Sequence, residues 1–437
     1  MDFDAEMYFA FSIIDFMKRM FILAALFSLS VLKIFAQEAD TAQHIIPGKT
    51  NSAIQAAKPY VILISADGFR YDLAIKDTAK HLLQLSANGV RAGYMRPSFP
   101  SLTFPNHYTI VTGLYPAHHG IVDNSFYDER RNSGYSMSNK KQVADSSWYG
   151  GTPLWVLAGQ QQMLTASFYW VASETAIQGL RPTYYYNYNE RIGIDDRIQA
   201  VKQWLQLPPD KRPHFITFYF PEVDHEEHLH GVNSWQAKQA VAFVDESIGK
   251  MQAMVDSIHL PVNFIFVSDH GMADVDTVHT LSLPGILDTS KFIIPASDVL
   301  VHLYAKHKAD IQPAYAALKK VAKEFDVYLA DSVPARWHYS RQDDRFKRIG
   351  DILLVPHYPY VFSFSHRRVT TGKHGFNNYR KEMYASFYAW GPAFKTHMNI
   401  DGFANIHVYP LVAKILGLHY DAASIDGNIK VLQRVLR

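Results

Sequence analysis

Three aspartates, three histidines and one threonine stand in this chain where proteins often place metal-dependent chemistry. The seven residues are Asp67, Thr103, Asp224, His228, Asp269, His270 and His374. Each one alone is explained as readily by a turn, a cap or the protein surface, but together they have the right types for one site. Three carboxylates and three imidazoles are enough to hold two zinc-like ions with three or four ligands each. Because two divalent ions ~4 Å apart can clamp an in-line phosphoryl displacement, the set predicts metal-dependent phosphoryl transfer.

The threonine of this set, Thr103, precedes a stretch whose residue types favour a helix. Pro105 suits a first helical turn, since its missing N–H would have no partner there, and residues 106–112 continue the pattern. Gly113 and Pro116 then end it. Thr103 is therefore predicted at a helix N-terminus, where backbone N–H groups favour a phosphate, although a plain N-cap threonine is the alternative. Its hydroxyl needs activation to attack at neutral pH, and a bound metal supplies it.

Continuous apolar runs precede all three aspartates. The runs at residues 60–65, 214–220 and 262–267 are typical of strands that are covered on both faces. Predicted helices alternate with strands, which favours an α/β fold with a doubly wound, mainly parallel sheet flanked by helices. Ligands of such sheets bind at the carboxyl ends of the strands, where the three aspartates are expected. The other predicted elements are helices at 79–87, 152–159, 197–207, 234–257, 311–323 and 406–416, strands at 165–171, 351–355 and 385–390, and a polar surface loop within 127–149.

Composition limits the classes of function that remain. The chain has 437 residues, a hydrophobic fraction of 48% and a net charge of +2, so a large core is available. No basic patch indicates a function in coating nucleic acid. With no cysteine, the chain has no disulfide, and any metal must be held by nitrogen and oxygen. A sulfatase would need a Cys/Ser-x-Pro-x-Arg string at its nucleophile, and the chain has no cysteine for it.

The N-terminus has the pattern of an export signal. Lys18 and Arg19 precede an apolar run over residues 20–32, and a small residue, Ala36, offers a cleavage point. We expect residues 1–36 to be a signal peptide, with the true start at Met17 or Met20, followed by a linker at 37–58. Residues 59–437 are expected to form one catalytic domain that is secreted or periplasmic, without a stable membrane span after processing. An uncleaved anchor that faces outside is the alternative.

Four strings in the chain resemble a known family. They are S-A-D-G-F-R at 65–70, T-F-P-N-H-Y-T-I-V-T-G-L-Y-P-x-x-H-G-I at 103–121, S-D-H-G-M at 268–272 and K-H-G-F at 373–376. They look like the nucleotide pyrophosphatase/phosphodiesterase family of the alkaline phosphatase superfamily, over residues 59–392. The resemblance implies an alkaline-phosphatase-like fold, with Thr103 as a nucleophile that forms a covalent phosphothreonine intermediate.

The same resemblance implies a role for each site residue. Asp224, His228 and His374 would hold one Zn2+, and the second would be held by Asp67, Asp269, His270 and the oxygen of Thr103. Asn124 matches the asparagine that donates to a phosphoryl oxygen, which adds a hydrogen bond to the charged transition state. Glu227 departs from the glycine that is usual in the family's Asp-x-x-Gly-His string, which makes His225 an alternative ligand to His228. Manganese or iron would also accept such nitrogen and oxygen ligands.

The residues near the threonine favour diesters as substrates. No arginine follows Thr103 to grip the extra charge of a monoester, and Phe104 offers an apolar surface instead. Tyr219 matches an aromatic that stacks on the nucleobase in nucleotide-cleaving relatives, and Tyr188 is a further candidate. We expect nucleotide or other small phosphodiester substrates, with release of nucleoside 5′-monophosphates. A phospholipid-headgroup or glycerophosphodiester hydrolase on the same site is the alternative, and a secreted binding module is the alternative without catalysis.

Overall fold

The computed structural model describes residues 40–364 and 369–437, arranged around a nine-stranded sheet. The predicted signal peptide at residues 1–36 lies outside the described residues. Residues 43–188 and 192–437 form one unit, and a second, small unit contains the described residues 40–42 with 189–191. Within the described ranges, no helix combines the length and the apolar character that crossing a membrane requires.

The central sheet is mainly parallel, as predicted. Neighbouring strands of the sheet follow the order His44–Ile45, Tyr184–Tyr186, Thr165–Phe168, Phe215–Phe220, Tyr60–Ala66, Val262–Val267, Phe387–Trp390, Val90–Ala92 and Met398–Ile400. Only two strands of this described sheet run against their neighbours: Phe387–Trp390 near one end and His44–Ile45 at the other edge. Helices cover both faces, which is the α/β architecture that the alternating pattern predicts.

Burial on both faces explains why the central strands are apolar at every position. In the strand Tyr60–Ala66 all seven residues are buried. Val61 and Leu63 pack into the core on one face, whereas Ile62 and Ile64 pack into the core on the other. Side chains alternate between the two faces of a strand, so a sheet with two cores requires a continuous apolar run.

A second sheet lies in the part of the chain for which the sequence pattern predicts few elements. It has four antiparallel strands in the order Phe292–Ile293, Val301–Ala305, Ile352–Pro356 and Phe325–Leu329, with a small core of its own. The predicted strand at 351–355 lies within it. The chain between the last two of these strands contributes buried side chains that reach the loop around Asn124.

The predicted helices and strands are confirmed, with their ends shifted by no more than three residues. The described helices are Leu73–Lys76, Lys80–Ala87, Thr103–Thr112, Pro116–His119, Lys140–Val143, Leu154–Gln160, Ile194–Leu205, Glu222–His230, Trp235–Ser257, Ile311–Val321, Val408–Leu416 and Ile429–Leu432. The short strands outside the two sheets are Met95–Arg96, Ser125–Asp128, Ser133–Ser136, Ala273–Asp274, Gly372–Lys373 and Phe403–Ala404.

One predicted segment is wrong. The polar stretch within 127–149 is not a plain surface loop: Ser125–Asp128 and Ser133–Ser136 form an antiparallel hairpin, and Tyr135 and Trp148 are each only 2% exposed. These aromatic side chains pack into the main core, which a polar composition hides. The segment assigned to a linker also carries structure, since His44–Ile45 pairs with the strand Tyr184–Tyr186 at the edge of the sheet.

Candidate active site

The three predicted aspartates meet at the carboxyl ends of three central strands of the sheet. Their parent strands are adjacent and parallel, so the residues that follow them lie side by side. The Asp224 N–H donates to the Asp67 carbonyl (3.1 Å), and the Gly68 N–H donates to Asp269 Oδ1 (3.2 Å). The strand ends are thus bonded to one another beneath the site.

The helix Glu222–His230 brings the first set of predicted ligands together. Asp224 Oδ1 lies 3.4 Å from His228 Nε2 and 3.6 Å from His374 Nε2. The two Nε2 atoms are 3.1 Å apart. His228 Nδ1 lies 2.7 Å from the Gly372 carbonyl, and His374 Nδ1 lies 2.9 Å from the Ser101 carbonyl. A carbonyl only accepts, so each neutral ring carries its proton on Nδ1 and presents an Nε2 lone pair to the other, as metal-bound histidines do.

The second set centres on His270. Its Nε2 lies 3.2 Å from Thr103 Oγ1, 3.4 Å from Asp67 Oδ1 and 3.0 Å from Asp269 Oδ2. The Nδ1 of His270 donates to the Gly271 carbonyl (3.0 Å), so Nε2 is the ring nitrogen that faces the site. Two convergent groups of possible ligands overlap here: Asp67 with Asp224 and His270, and Asp67 with His107 and Asp269. The structure therefore gathers the seven predicted residues in one cluster and places Asp224 beside both sets.

The predicted carboxylates are short of hydrogen-bond donors. Asp67 Oδ1, Asp224 Oδ1 and Asp269 Oδ2 are buried and have no hydrogen-bond partner among the described residues. Leaving such oxygens unpaired next to imidazole lone pairs is costly unless cations lie between them. The donor set is all nitrogen and oxygen, which suits zinc. The residues present therefore fit the two-metal site that the sequence predicts.

Burial governs the charges of these groups. It lowers the pKa of His374 well below its ordinary value, and two neighbouring histidines lower it further, so the ring stays neutral. Burial raises the pKa of Asp67 well above its ordinary value, and two nearby carboxylates add to this. For Asp269, burial also opposes ionisation, but His270 and His107 outweigh it and hold the pKa well below its ordinary value. Cations in the site would favour the charged form of both aspartates.

His107 is a site residue that the sequence analysis missed. Its Nδ1 lies 3.2 Å from Asp269 Oδ2, and its Nε2 lies 2.8 Å from Ser65 Oγ. The ring is fully buried. The available signal was helical spacing, because His107 comes four residues after Thr103 and so lies on the same side of the helix.

Thr103 is the first residue of the helix Thr103–Thr112, and the preceding Leu102 is extended. Its hydroxyl is thus next to the N–H groups of the first helical turn. Asn124 lies beside it, since Asn124 Oδ1 accepts a hydrogen bond from the Phe104 N–H (3.0 Å). This bond fixes the side-chain amide with its oxygen toward the helix, which leaves Nδ2 to donate to a ligand next to Thr103.

The predicted aromatic residues lie in two places. Phe104 is half-buried, with its ring centroid 6.5 Å from that of Tyr135. Tyr188 is 43% exposed, and its ring centroid lies 6.0 Å from that of Tyr219. The Tyr219 hydroxyl donates to Asp67 Oδ2 (2.6 Å), so this tyrosine contacts a predicted metal ligand as well as a neighbouring ring.

The structure distinguishes the two candidate histidines on either side of Glu227. His225 is exposed, whereas His228 faces Asp224 and His374. Glu227 itself is fully buried, and burial raises its pKa well above the ordinary value. Of the two alternatives, the geometry supports His228 as the ligand.

Comparisons with known proteins identify the family of this chain. Residues 61–377 match the model of the type I phosphodiesterase/nucleotide pyrophosphatase family. The chain is 34% identical over 377 residues to mouse ectonucleotide pyrophosphatase/phosphodiesterase family member 1. This alignment covers 82% of this chain and 41% of that protein. The chain is 32% identical to a venom phosphodiesterase of Crotalus durissus collilineatus, over 86% of this chain and 46% of that protein. The chain thus spans less than half the length of these relatives.

Solved structures of ectonucleotide pyrophosphatase/phosphodiesterases are also similar to this chain. Human ectonucleotide pyrophosphatase/phosphodiesterase 5 has a TM-score of 0.81 and 27% identity, and covers 86% of this chain and 100% of its own. An inactive threonine-to-alanine variant of the murine protein, in complex with AMP, has the same TM-score and identity and covers 87% of this chain and 100% of its own. The chain belongs to the type I phosphodiesterase/nucleotide pyrophosphatase family.

Proposed function

We propose that residues 59–437 form a two-zinc phosphodiesterase and nucleotide pyrophosphatase. It hydrolyses phosphodiester and phosphoanhydride bonds of nucleotides and releases nucleoside 5′-monophosphates. The observation that carries the proposal is the position of Thr103, whose Oγ1 lies 3.2 Å from His270 Nε2 at the start of a helix. Around it, buried carboxylate oxygens and imidazole lone pairs converge in the way that a metal-activated alcohol requires.

The ligands would divide between two ions in the way that the family resemblance implies. Asp224, His228 and His374 would hold one Zn2+; Asp67, Asp269 and His270 would hold the other, together with the oxygen of Thr103. When bound, the ions lower the pKa of the attacking oxygen and neutralise charge on the phosphoryl and leaving oxygens.

The chain's own groups supply the attack. Thr103 Oγ1 loses its proton to solvent and forms a bond to phosphorus while the bond to the leaving oxygen breaks in line, and that oxygen departs as pyrophosphate or takes a proton from water to leave as an alcohol. The phosphothreonine still carries its nucleoside, and water then attacks phosphorus and displaces Thr103, which releases the 5′-monophosphate. Asn124 Nδ2 donates to a non-bridging oxygen, and the N–H groups of the first helical turn favour the negative charge that builds up there.

Aromatic side chains near the site support a nucleotide as the substrate. Phe104 and Tyr188 expose ring surface, and a base that stacks on an aromatic side chain gains roughly 1–3 kcal/mol. A structural relative at 27% identity was solved in complex with AMP. The names of the relatives, ectonucleotide and venom enzymes, support a protein that works outside the cytoplasm, secreted or periplasmic. Residues 1–36 would act as its signal peptide.

Two substrates and two variants test the proposal. Thymidine 5′-monophosphate p-nitrophenyl ester should be turned over faster than glycerophosphocholine, and faster turnover of the choline ester would favour the headgroup hydrolase instead. Thr103→Ala should lower kcat by about 10³-fold or more, whereas Thr103→Ser, which keeps a hydroxyl, should retain measurable activity. Full activity in Thr103→Ala would remove the nucleophile from the account.

A further inference from the structure

Buried residues from a distant part of the chain hold the loop that carries Asn124. This loop, residues 120–128, is called here the Asn124 loop. Beyond the Phe104 contact described above, it is contacted by side chains of residues 302–348 that do not line the site. These side chains belong to His302, Tyr304, Tyr339 and Arg348, and none is more than 2% exposed.

Tyr339 holds the backbone just before Asn124. Its hydroxyl donates to the Val122 carbonyl (2.7 Å), two residues away from the proposed donor to phosphate. The tyrosine is fully buried, and its ring meets Phe99 edge to face at 5.3 Å. A buried hydrogen bond to a backbone carbonyl fixes that peptide, because its loss would leave an unpaired buried oxygen.

His302 supports the Tyr339 hydroxyl and lies beside Asp123, the residue before Asn124. The Gly350 N–H donates to His302 Nδ1 (3.1 Å), so the neutral ring carries its proton on Nε2. That nitrogen donates to the Tyr339 hydroxyl (3.4 Å) and lies 3.6 Å from Asp123 Oδ2, which is beyond hydrogen-bond distance. Asp123 Oδ1 accepts from the Ser125 N–H (3.0 Å), and this bond ties the two neighbours of Asn124 to each other.

Arg348 and Tyr304 fix both ends of the Asn124 loop. Arg348 donates from Nη1 to the Gly120 carbonyl (2.8 Å) and from Nε to Asp128 Oδ2 (2.8 Å). The Tyr304 hydroxyl donates to the Arg348 carbonyl (2.6 Å) and accepts from the Tyr127 N–H (3.3 Å). The loop is therefore bonded at its start, centre and end by one buried polar cluster.

We propose that Tyr339 and His302 are positioning residues for phosphoryl transfer, which act by holding the Asn124 amide against the phosphoryl group beside Thr103. The proposal rests on the function proposed above for Asn124. The reason is geometric: a donor aimed at transition-state charge works only at hydrogen-bond distance, and a displacement of about 1 Å can cost about 10²-fold in rate. The region that carries the second sheet thereby contributes to the site without touching substrate.

A double-mutant cycle tests this. Asn124→Ala should lower kcat for the thymidine ester by about 10²–10³-fold. Tyr339→Phe removes one hydroxyl and should lower kcat by about tenfold, with KM and zinc content unchanged. In the double variant, Tyr339→Phe should add almost nothing to Asn124→Ala, since the group that it positions is gone. Equal effects of Tyr339→Phe in both backgrounds, or kcat within about twofold of wild type in the single variant, would overturn the proposal.

His302 offers a graded test, and Tyr184 a matched control. His302→Gln places an amide nitrogen near the position of Nε2 and should retain more activity than His302→Asn, which leaves that position empty. Tyr184→Phe removes a hydroxyl that also donates to a backbone carbonyl, that of Lys211 (2.9 Å), at the far edge of the sheet. It should leave kcat unchanged. A loss in Tyr184→Phe as large as in Tyr339→Phe would reduce the effect to general stability and overturn the proposal.

Hydrogen–deuterium exchange separates this proposal from the proposed function. Tyr339→Phe should speed exchange at residues 122–125 and at the Phe104 amide, whereas Tyr184→Phe should not. Unchanged exchange at these amides in Tyr339→Phe would overturn the positioning claim whatever the enzyme assays show. If the wild-type protein hydrolyses no diester, the proposed function fails, and with it the claim that the loop serves catalysis.

Discussion

The Nε2 atoms of His228 and His374 face each other at 3.1 Å, and each ring donates a hydrogen bond from Nδ1 to a backbone carbonyl. Without a cation these lone pairs repel each other. We therefore expect metal removal by a chelator to abolish diester hydrolysis and to lower the Tm by several degrees, and added Zn2+ to restore both. Mg2+ serves as the control ion, since it prefers oxygen ligands. An unchanged Tm in protein shown by metal analysis to be metal-free would contradict the site.

Tyr219 separates two roles because its hydroxyl and its ring have different neighbours. Tyr219→Phe loses the hydrogen bond to Asp67 Oδ2 and keeps the ring. Loss of a group that orients a metal ligand should weaken zinc affinity by about 10–100-fold, with KM for the thymidine ester nearly unchanged. Tyr219→Leu should weaken zinc binding equally and also raise KM. Zinc competition with a coloured chelator measures the first effect, and wild-type affinity in Tyr219→Phe would show that the bond is incidental.

Tyr188 is the exposed member of the aromatic pair and should act on the base alone. Its ring is 43% exposed and lies 6.0 Å from that of Tyr219. Tyr188→Ala should lower kcat/KM for the thymidine ester by about tenfold, because stacking on a base is worth roughly 1–3 kcal/mol. Methyl p-nitrophenyl phosphate has no base, so its kcat/KM should not change. Equal losses for both esters would mean that Tyr188 does not contact the base.

The burial of His119 predicts that the protein loses stability in mild acid. The ring is fully buried against the helix that begins at Thr103, with Nε2 3.0 Å from Thr109 Oγ1 and Nδ1 accepting from the Ile121 N–H (3.2 Å). Burial lowers its pKa from 6.5 to about 3. Between these values the unfolded chain binds a proton that the folded chain does not, so the free energy of unfolding falls as the pH falls.

Urea unfolding at about pH 7.5 and about pH 5 measures this loss, to which His119 should contribute about 2 kcal/mol. His119→Gln has no proton to gain, so its stability should change less across the same interval, even if it is lower at neutral pH. An equal pH dependence in wild type and His119→Gln would assign the effect to other groups.

Strands with two covered faces were the most predictable part of this fold. The run at 60–65 is apolar throughout because its side chains enter two cores, and the aspartate that follows it had to lie at the carboxyl end of the strand. The helix start at Thr103 was equally visible, through Pro105 and Gly113. These local signals were enough to predict that the seven site residues lie close together.

Contacts between distant segments were not predictable in this way. The hairpin within 125–136 resembles a polar loop in sequence because its partners, such as Arg348, lie more than two hundred residues away. Tyr339 and His302 have no sequence signal for their role, since each is an ordinary buried side chain whose partner is set by tertiary structure. His107 was within reach, because helical spacing alone places it on the Thr103 side.

The central claim is that the Thr103 hydroxyl attacks phosphorus. The most direct measurement is an acid quench of the wild-type protein turning over a nucleoside triphosphate labelled at the α-phosphorus, followed by peptide mass spectrometry. We predict a labelled nucleotidyl group on Thr103, in the peptide that contains this residue, and none in Thr103→Ser outside the substituted position. Active protein in which the label is absent from Thr103, or lies on another residue, would contradict the account.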